Sequence, residues 1–176
     1  VKNTAVWTVS VTAAQFLIGF ALALLCSRKI AGISLLRPVF LFPWAIPGVV
    51  AALAWKWIYN TDFGILNLIL HDLGLIRENI SWLTVPGTAM LAAIIMSAWK
   101  GSPFYFMMLF AGLTGVPADL YEAAAIDGAN GVQRFFFITL PQLAPVITMS
   151  LTLGTIWTLN AYENIFALTG GGPSRQ

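Results

Sequence analysis

The sequence is short of almost everything a soluble enzyme relies on. Of its 176 residues only 9% are charged, 9 basic and 7 acidic, against about a quarter in ordinary soluble domains. One cysteine, Cys26, and one histidine, His71, exclude a disulfide framework and a His/Cys metal site. A formal charge of +2 is too small for a nucleic-acid footprint. No GxxxxGK[ST] phosphate loop occurs, so the sequence carries no ATP-hydrolysing motif of that kind. No internal repeat or low-complexity tract stands out either. What the chain has in excess is apolar character, 59% of residues with a mean hydropathy of +0.82. That excludes disorder and points to a membrane protein.

A helix needs about 20 mainly apolar residues to cross a bilayer. Four segments have that length, at about 6–26, 39–59, 90–113 and 145–168. The second carries Pro43 and Pro47, and the third is expected to be interrupted at Lys100-Gly101-Ser102-Pro103. Because lipid leaves helices as the only open-ended way to satisfy the backbone, the expected fold is an all-α transmembrane, polytopic helical bundle. Residues 27–38 read as a short basic loop with Arg28, Lys29 and Arg37. Residues 60–88 read as a longer loop around an amphipathic stretch, Ile65 to Leu70, with Trp82 to Pro86 lying on the membrane surface. Lysine and arginine placement leans toward a cytoplasmic 27–38 loop. Val1-Lys2-Asn3 has no basic n-region and no small-residue cleavage site follows Cys26, so no signal peptide is expected.

The loop at 114–144 is the most polar part of the chain and reads as two short helices. Pro117 suits a first helical turn, Asp119 complements the helix dipole, and Gly128 is placed to stop the helix in a left-handed cap. A second helix is expected over 131–139, ending before Pro141 because the residue ahead of a proline avoids the helical region. Such a loop, charged yet flanked by spans, offers a surface to a partner or is simply solvated.

Its residues carry more. Glu122-Ala123-Ala124, three residues, Gly128, nine residues, Ile138, one residue, Leu140-Pro141 resembles the EAA signature of binding-protein-dependent ABC importer permeases. Leu120 to Ala129, Asn3-Thr4, Phe42-Pro43, Trp99 to Phe104 and Leu168 to Pro173 extend the resemblance in order along the chain, to the carbohydrate branch of maltose and glycerol-3-phosphate type. The resemblance implies that the loop is a cytoplasmic coupling helix docking on an ATPase subunit. Glu122, Ala123, Ala124 and Gly128 match the docking motif, and Asp127 and Arg134 are expected to tie the two short helices together. It also implies a multi-pass protein of a prokaryotic inner membrane, a second permease chain as heterodimeric partner, and an extracytoplasmic solute-binding protein delivering a sugar. No cofactor is expected in this chain; ATP and Mg would be bound by the separate ATPase. Family members have six core helices, so 1–176 is expected to be one transmembrane domain lacking its first and last helices.

Polar residues inside the spans mark a candidate substrate path. A mid-span lysine costs about 2.5–3.5 kcal/mol on insertion scales, and helices weakened at membrane depth commonly line cavities. Lys100, Gly101 and Phe104 therefore border the path, unless Lys100 instead neutralises a carboxylate such as Glu163. Gly154, Trp157, Thr158 and Ala161 share one helical face, with Asn160, Glu163 and Asn164 on a second. Trp157, Thr158 and Asn160 suit a sugar; Gly154 and Ala161 fit path lining or a packing seam equally. An amino-acid or peptide importer would share the loop, but the Trp99–Phe104 and Leu168–Pro173 segments argue against it.

Overall fold

The computed structural model describes residues 2–28 and 32–172, apart from the side chain of Ser34. Among them the regular structure is entirely helical: α1 (Lys2–Ser27), α2 (Ile33–Ala45), α3 (Gly48–Ile58), α4 (Ile65–Asp72), α5 (Pro86–Thr114), α6 (Ala118–Ile126), α7 (Gly131–Arg134), a π turn (Phe135–Thr139), α8 (Leu140–Leu159) and α9 (Tyr162–Thr169). α1 and the continuous stretch Gly131–Leu159 are each long and apolar enough to cross a membrane. Four crossings result if the bent pairs α2–α3 and α5–α6 each count as one.

The bundle is organised by α1 lying along α5. Gly19 makes this possible, since a Cβ there would come within 2.6 Å of Tyr105 Cβ, 2.7 Å of the Phe106 amide and 2.8 Å of the Ser102 carbonyl. Without an appreciable hydrophobic drive between helices in lipid, such close backbone approach supplies the packing energy. Two cores flank the contact. One gathers Trp7, Val11, Ala52, Tyr59, Trp82, Met96 and Leu168; the other, nearer the α6 end, gathers Ala23, Cys26, Ile33 and Phe104 to Leu109 apart from two partly buried methionines.

Three spans depart from the sequence expectation. The segment 39–59 is no straight span: α2 and α3 meet at 97°. Ile46 is extended (φ −75°, ψ 130°), as the residue before a proline prefers, and Pro47 has no N–H to continue the ladder. The third span is not interrupted, for α5 runs unbroken through Lys100-Gly101-Ser102-Pro103. Pro103 deprives the Trp99 carbonyl of its donor, and the Ser102 hydroxyl donates to that carbonyl at 3.3 Å instead. The fourth span ends early, at Leu159, with α9 beginning at Tyr162. Asn160 Nδ2 donates to the Ile156 carbonyl at 2.8 Å, the kind of side-chain competition that ends helices.

The loops also differ. Arg37 lies inside α2, its guanidinium 4.5 Å from the Phe110 ring centroid; Lys29 falls outside the described residues. Trp82 turns inward rather than onto the membrane surface. Its Nε1 donates to Asn67 Oδ1 at 2.9 Å, while Asn67 Nδ2 donates to the Thr61 and Ile80 carbonyls at 3.2 and 3.1 Å. With the Ile80 amide donating to Oδ1 as well, buried Asn67 is fully satisfied and pins the 60–85 connection. The stretch read as amphipathic is α4.

Replacing Gly19 by valine should force α1 and α5 apart and cost about 1–3 kcal/mol, as overpacking does. A lowered thermal unfolding midpoint of the detergent-solubilised protein checks this; an unchanged midpoint contradicts the close approach.

Candidate functional site

Two regions concentrate the chemistry, a cavity among the spans and the hairpin formed by α6 and α7.

The cavity, of about 210 Å³, lies between α1, α5 and α8 and is also bordered by Trp44 of α2 and Asn164 of α9. Lys100, Gly101, Phe104, Gly154, Trp157, Thr158 and Ala161 all border it. Asn160 does not: it sits in the break after α8, exposed, with its amide turned back on Ile156. Glu163 does not reach Lys100 either; it is exposed in the first turn of α9. Lys100 Nζ instead donates to the Ile46 carbonyl at 2.6 Å. That carbonyl ends α2 at the 97° break, so the ammonium caps a helix C-terminus, where a cation is favoured. Phe104 and Trp157 meet edge to face, with ring centroids 4.7 Å apart.

Trp7, Val11, Gln15, Trp44, Ser97 and Asn164 complete the lining. Trp7, Val11 and Gln15 fall at i, i+4 and i+8 on α1, so a glutamine within an apolar run was the available signal. Gln15 Nε2 donates to the Ser97 carbonyl at 2.9 Å, and its amide occupies the space a side chain at Gly101 would need. Trp7 Nε1 donates to the Thr158 carbonyl at 3.3 Å, close to where α8 ends. At Gly154 the missing side chain makes room for the Tyr105 hydroxyl, so this glycine both packs and lines. Among the described residues the cavity thus offers aromatic faces, amides, hydroxyls and one cation, and no carboxylate borders it.

In the hairpin, Pro117 is the residue before α6 rather than its first, and Asp119 lies in the first turn. Glu122 and Ala123 are exposed and Ala124 half-buried. Asp127 follows the last residue of α6, and Gly128 turns the chain at φ 78°, a conformation that favours glycine. Arg134 ties the hairpin through the Ala129 carbonyl, Nε to O 3.0 Å, rather than through Asp127. Asn130 caps α7 reciprocally with Gln133, a capping box with Asn in place of Ser or Thr. The second helix does not end before Pro141. The ladder slips to i→i−5, Leu140 N–H to Phe135 O, and continues into α8, so one helix joins the hairpin to the cavity wall.

Residues 15–172 match the family model described as the binding-protein-dependent transport system inner membrane component. The chain belongs to this family. It is 43% identical over 159 residues to the trehalose/maltose transport system permease protein MalF of Thermococcus litoralis, covering 90% of this chain and 53% of that one. The sulfoquinovosyl glycerol transport system permease protein SmoG of Agrobacterium fabrum is 37% identical, with 97% and 55% covered. The galactooligosaccharides transport system permease protein GanP of Bacillus subtilis is 34% identical, with 97% and 41% covered. The chain thus spans about half the length of these permeases. A bacterial ABC transporter involved in the import of alginate superimposes with a TM-score of 0.84 at 24% identity, over 96% of this chain and 59% of that one. That likeness establishes the permease fold.

Because Lys100 caps the α2–α3 corner, Lys100→Met should leave the Ile46 carbonyl unpaired and cost about 1–3 kcal/mol. Faster proteolysis at the corner, with α1 and α5 still protected, is the expected reading; uniform protection as in the unmodified protein contradicts the cap.

Proposed function

We propose that the chain forms the substrate-conducting part of a permease in an ATP-driven importer for a sugar, an oligosaccharide or polyol derivative. In this reading an extracytoplasmic binding protein delivers the sugar and a separate cytoplasmic ATPase, holding ATP and Mg, docks on α6. A second, related permease chain completes the pathway in a prokaryotic inner membrane. Residues 1–176 are then one part of a larger six-helix transmembrane core, in keeping with the share of its relatives that the chain spans. The observation that carries the reading is that one helix, 131–159, begins in the EAA hairpin and ends in the wall of a cavity lined with Trp157, Phe104, Thr158 and Lys100. The named substrates of the relatives, trehalose or maltose, sulfoquinovosyl glycerol and galactooligosaccharides, support a sugar over an amino acid or peptide.

The mechanism follows from these parts. Closure of the ATPase pair moves the docked hairpin, and α8 carries that movement to the cavity, opening it alternately to either side. Trp157 and Phe104 offer stacking faces to sugar C–H groups, and Gln15, Thr158 and Asn164 offer hydrogen bonds. Lys100 keeps two of its three donors for the pathway after capping Ile46.

Two measurements on the full-length permease, assembled with its partners in proteoliposomes, test the reading. Trp157→Ala should lower uptake of the cognate sugar by about tenfold, equivalent to one lost aromatic contact of about 1.5 kcal/mol; unchanged uptake and selectivity would remove Trp157 from the path. Glu122→Lys or Gly128→Asp should abolish ATP-dependent uptake and release the ATPase on purification. Stimulation of ATP hydrolysis by an amino-acid-loaded binding protein alone would overturn the substrate class.

A further inference from the structure

The hairpin is held to the spans by very little. No residue of α6 is buried, and Ile126 at its end is 87% exposed. A cleft of about 390 Å³ separates the hairpin from the ends of α1 and α5, bordered by Leu24, Leu113, Tyr121, Arg134, Phe135 and Thr139 among others. At the border of this cleft, among the described residues, one side-chain hydrogen bond ties α6 to the π turn, between Tyr121 Oη and Thr139 Oγ1 at 2.9 Å. Thr139 is buried, 6% exposed, and is the last residue of the π turn. Its hydroxyl donates in turn to the Arg134 carbonyl at 3.4 Å. A threonine hydroxyl has one hydrogen, so with that hydrogen on Arg134 the Tyr121 phenol must be the donor to Thr139. The order is therefore Tyr121 to Thr139 to the Arg134 carbonyl.

The position matters as much as the bond. A π turn is a local widening of the helix, with its ladder slipped by one residue, and such turns concentrate at functional sites. Thr139 sits where the widened turn becomes α8, about 22 Å from Gly154 at about 1.5 Å per residue. A pull on Tyr121 therefore acts where the helix ladder is already irregular, and beyond that point the helix is continuous to the cavity wall.

We propose that the Tyr121–Thr139 hydrogen bond is the tether that passes movement of α6 into α8, making Tyr121 a positioning residue for transport rather than a docking contact. This rests on the reading of α6 as the ATPase-docking helix. It adds to that reading a residue outside the EAA positions, the point at which force enters the span, and a role for the π turn.

The test uses the full-length permease with its ATPase, partner permease and binding protein in proteoliposomes, comparing Tyr121→Phe, Thr139→Val, both together, and Thr139→Ser. Three quantities are read: ATPase retained on purification, ATP hydrolysis stimulated by loaded binding protein, and sugar taken up per ATP hydrolysed. Tyr121→Phe should retain the ATPase fully yet lose up to about tenfold in uptake per ATP, the range of one hydrogen bond. Thr139→Val, which also frees the Arg134 carbonyl, should lose at least as much, and the double variant should be no worse than Thr139→Val alone, because Tyr121→Phe then has no further bond to remove. Thr139→Ser keeps the hydroxyl and should restore coupling. Unmodified uptake per ATP in Tyr121→Phe, additive losses in the double variant, or loss of the ATPase with Tyr121→Phe would each overturn the tether. Retention of the ATPase and of uptake in Glu122→Lys and Gly128→Asp would instead remove the docking role of α6, whatever Tyr121 shows.

Discussion

Hydrocarbon offers no hydrogen bond to a peptide carbonyl, and an unpaired one there costs several kcal/mol. The helices of this chain are repeatedly bent, ended or widened within their long apolar stretches, and the side chains at those points follow from that constraint. Where α2 stops at Ile46, Lys100 supplies the donor. Where Pro103 withholds an N–H from Trp99, Ser102 supplies a hydroxyl. Close to where α8 ends, Trp7 reaches the Thr158 carbonyl across the bundle. Where the ladder widens at Phe135–Thr139, Thr139 reaches Arg134. Along α8, Thr148, Thr152 and Thr155 fold their hydroxyls onto carbonyls four residues back, so none of these polar groups meets lipid unpaired.

Two of these repairs border the cavity, through Lys100, Trp7 and Thr158, and the coincidence has a physical basis. A helix interrupted at membrane depth exposes polar backbone, which is tolerated only inside protein or beside a water-accessible space. In the proposed function the same interruption supplies a solute with hydrogen-bonding partners. For Lys100 the capping of Ile46 is compatible with the path-lining role proposed for it, since both follow from the same break. Its ammonium needs a partner to be tolerated, finds it in a carbonyl rather than a carboxylate, and has donors left over.

Much of this was legible from the residues in order. The four apolar stretches, the α6 helix, the left-handed turn at Gly128 and the shared face of Gly154, Trp157, Thr158 and Ala161 depend on local pattern, and periodicity carries local pattern well. What was not legible depends on partners distant in the chain. Pro43 and Pro47 look alike in sequence, yet the first lies within α2 and the second marks the corner; Lys100, more than fifty residues away, caps the corner where it forms. Trp7 and Gln15 join the site only because Gly19 and Gly101 let α1 lie close to α5. Asn160 shares a second, polar face with Glu163 and Asn164 in sequence, but that face does not form once its own amide ends α8 two residues before α9 begins. The inward turn of Trp82 depends on Asn67, whose four hydrogen bonds no periodicity encodes.

The course of the helix from Gly131 to Leu159 ties these threads together. Its first half holds the π turn, Pro141 and Pro145, and each proline removes a donor from the ladder. Its second half has no proline, and it carries the cavity residues Gly154, Trp157 and Thr158. The first half thus lacks ladder donors at two prolines, whereas the second half keeps its backbone donors and packs against Phe104 and Tyr105. In the coupling proposed above, a helix more compliant near the hairpin than at the cavity would turn a small displacement at one end into reorientation of the wall at the other. A uniformly stiff helix would have to translate through its packing, and a uniformly soft one would lose the displacement on the way. The uneven spacing of its prolines therefore suits this span to join an exposed loop to a buried cavity.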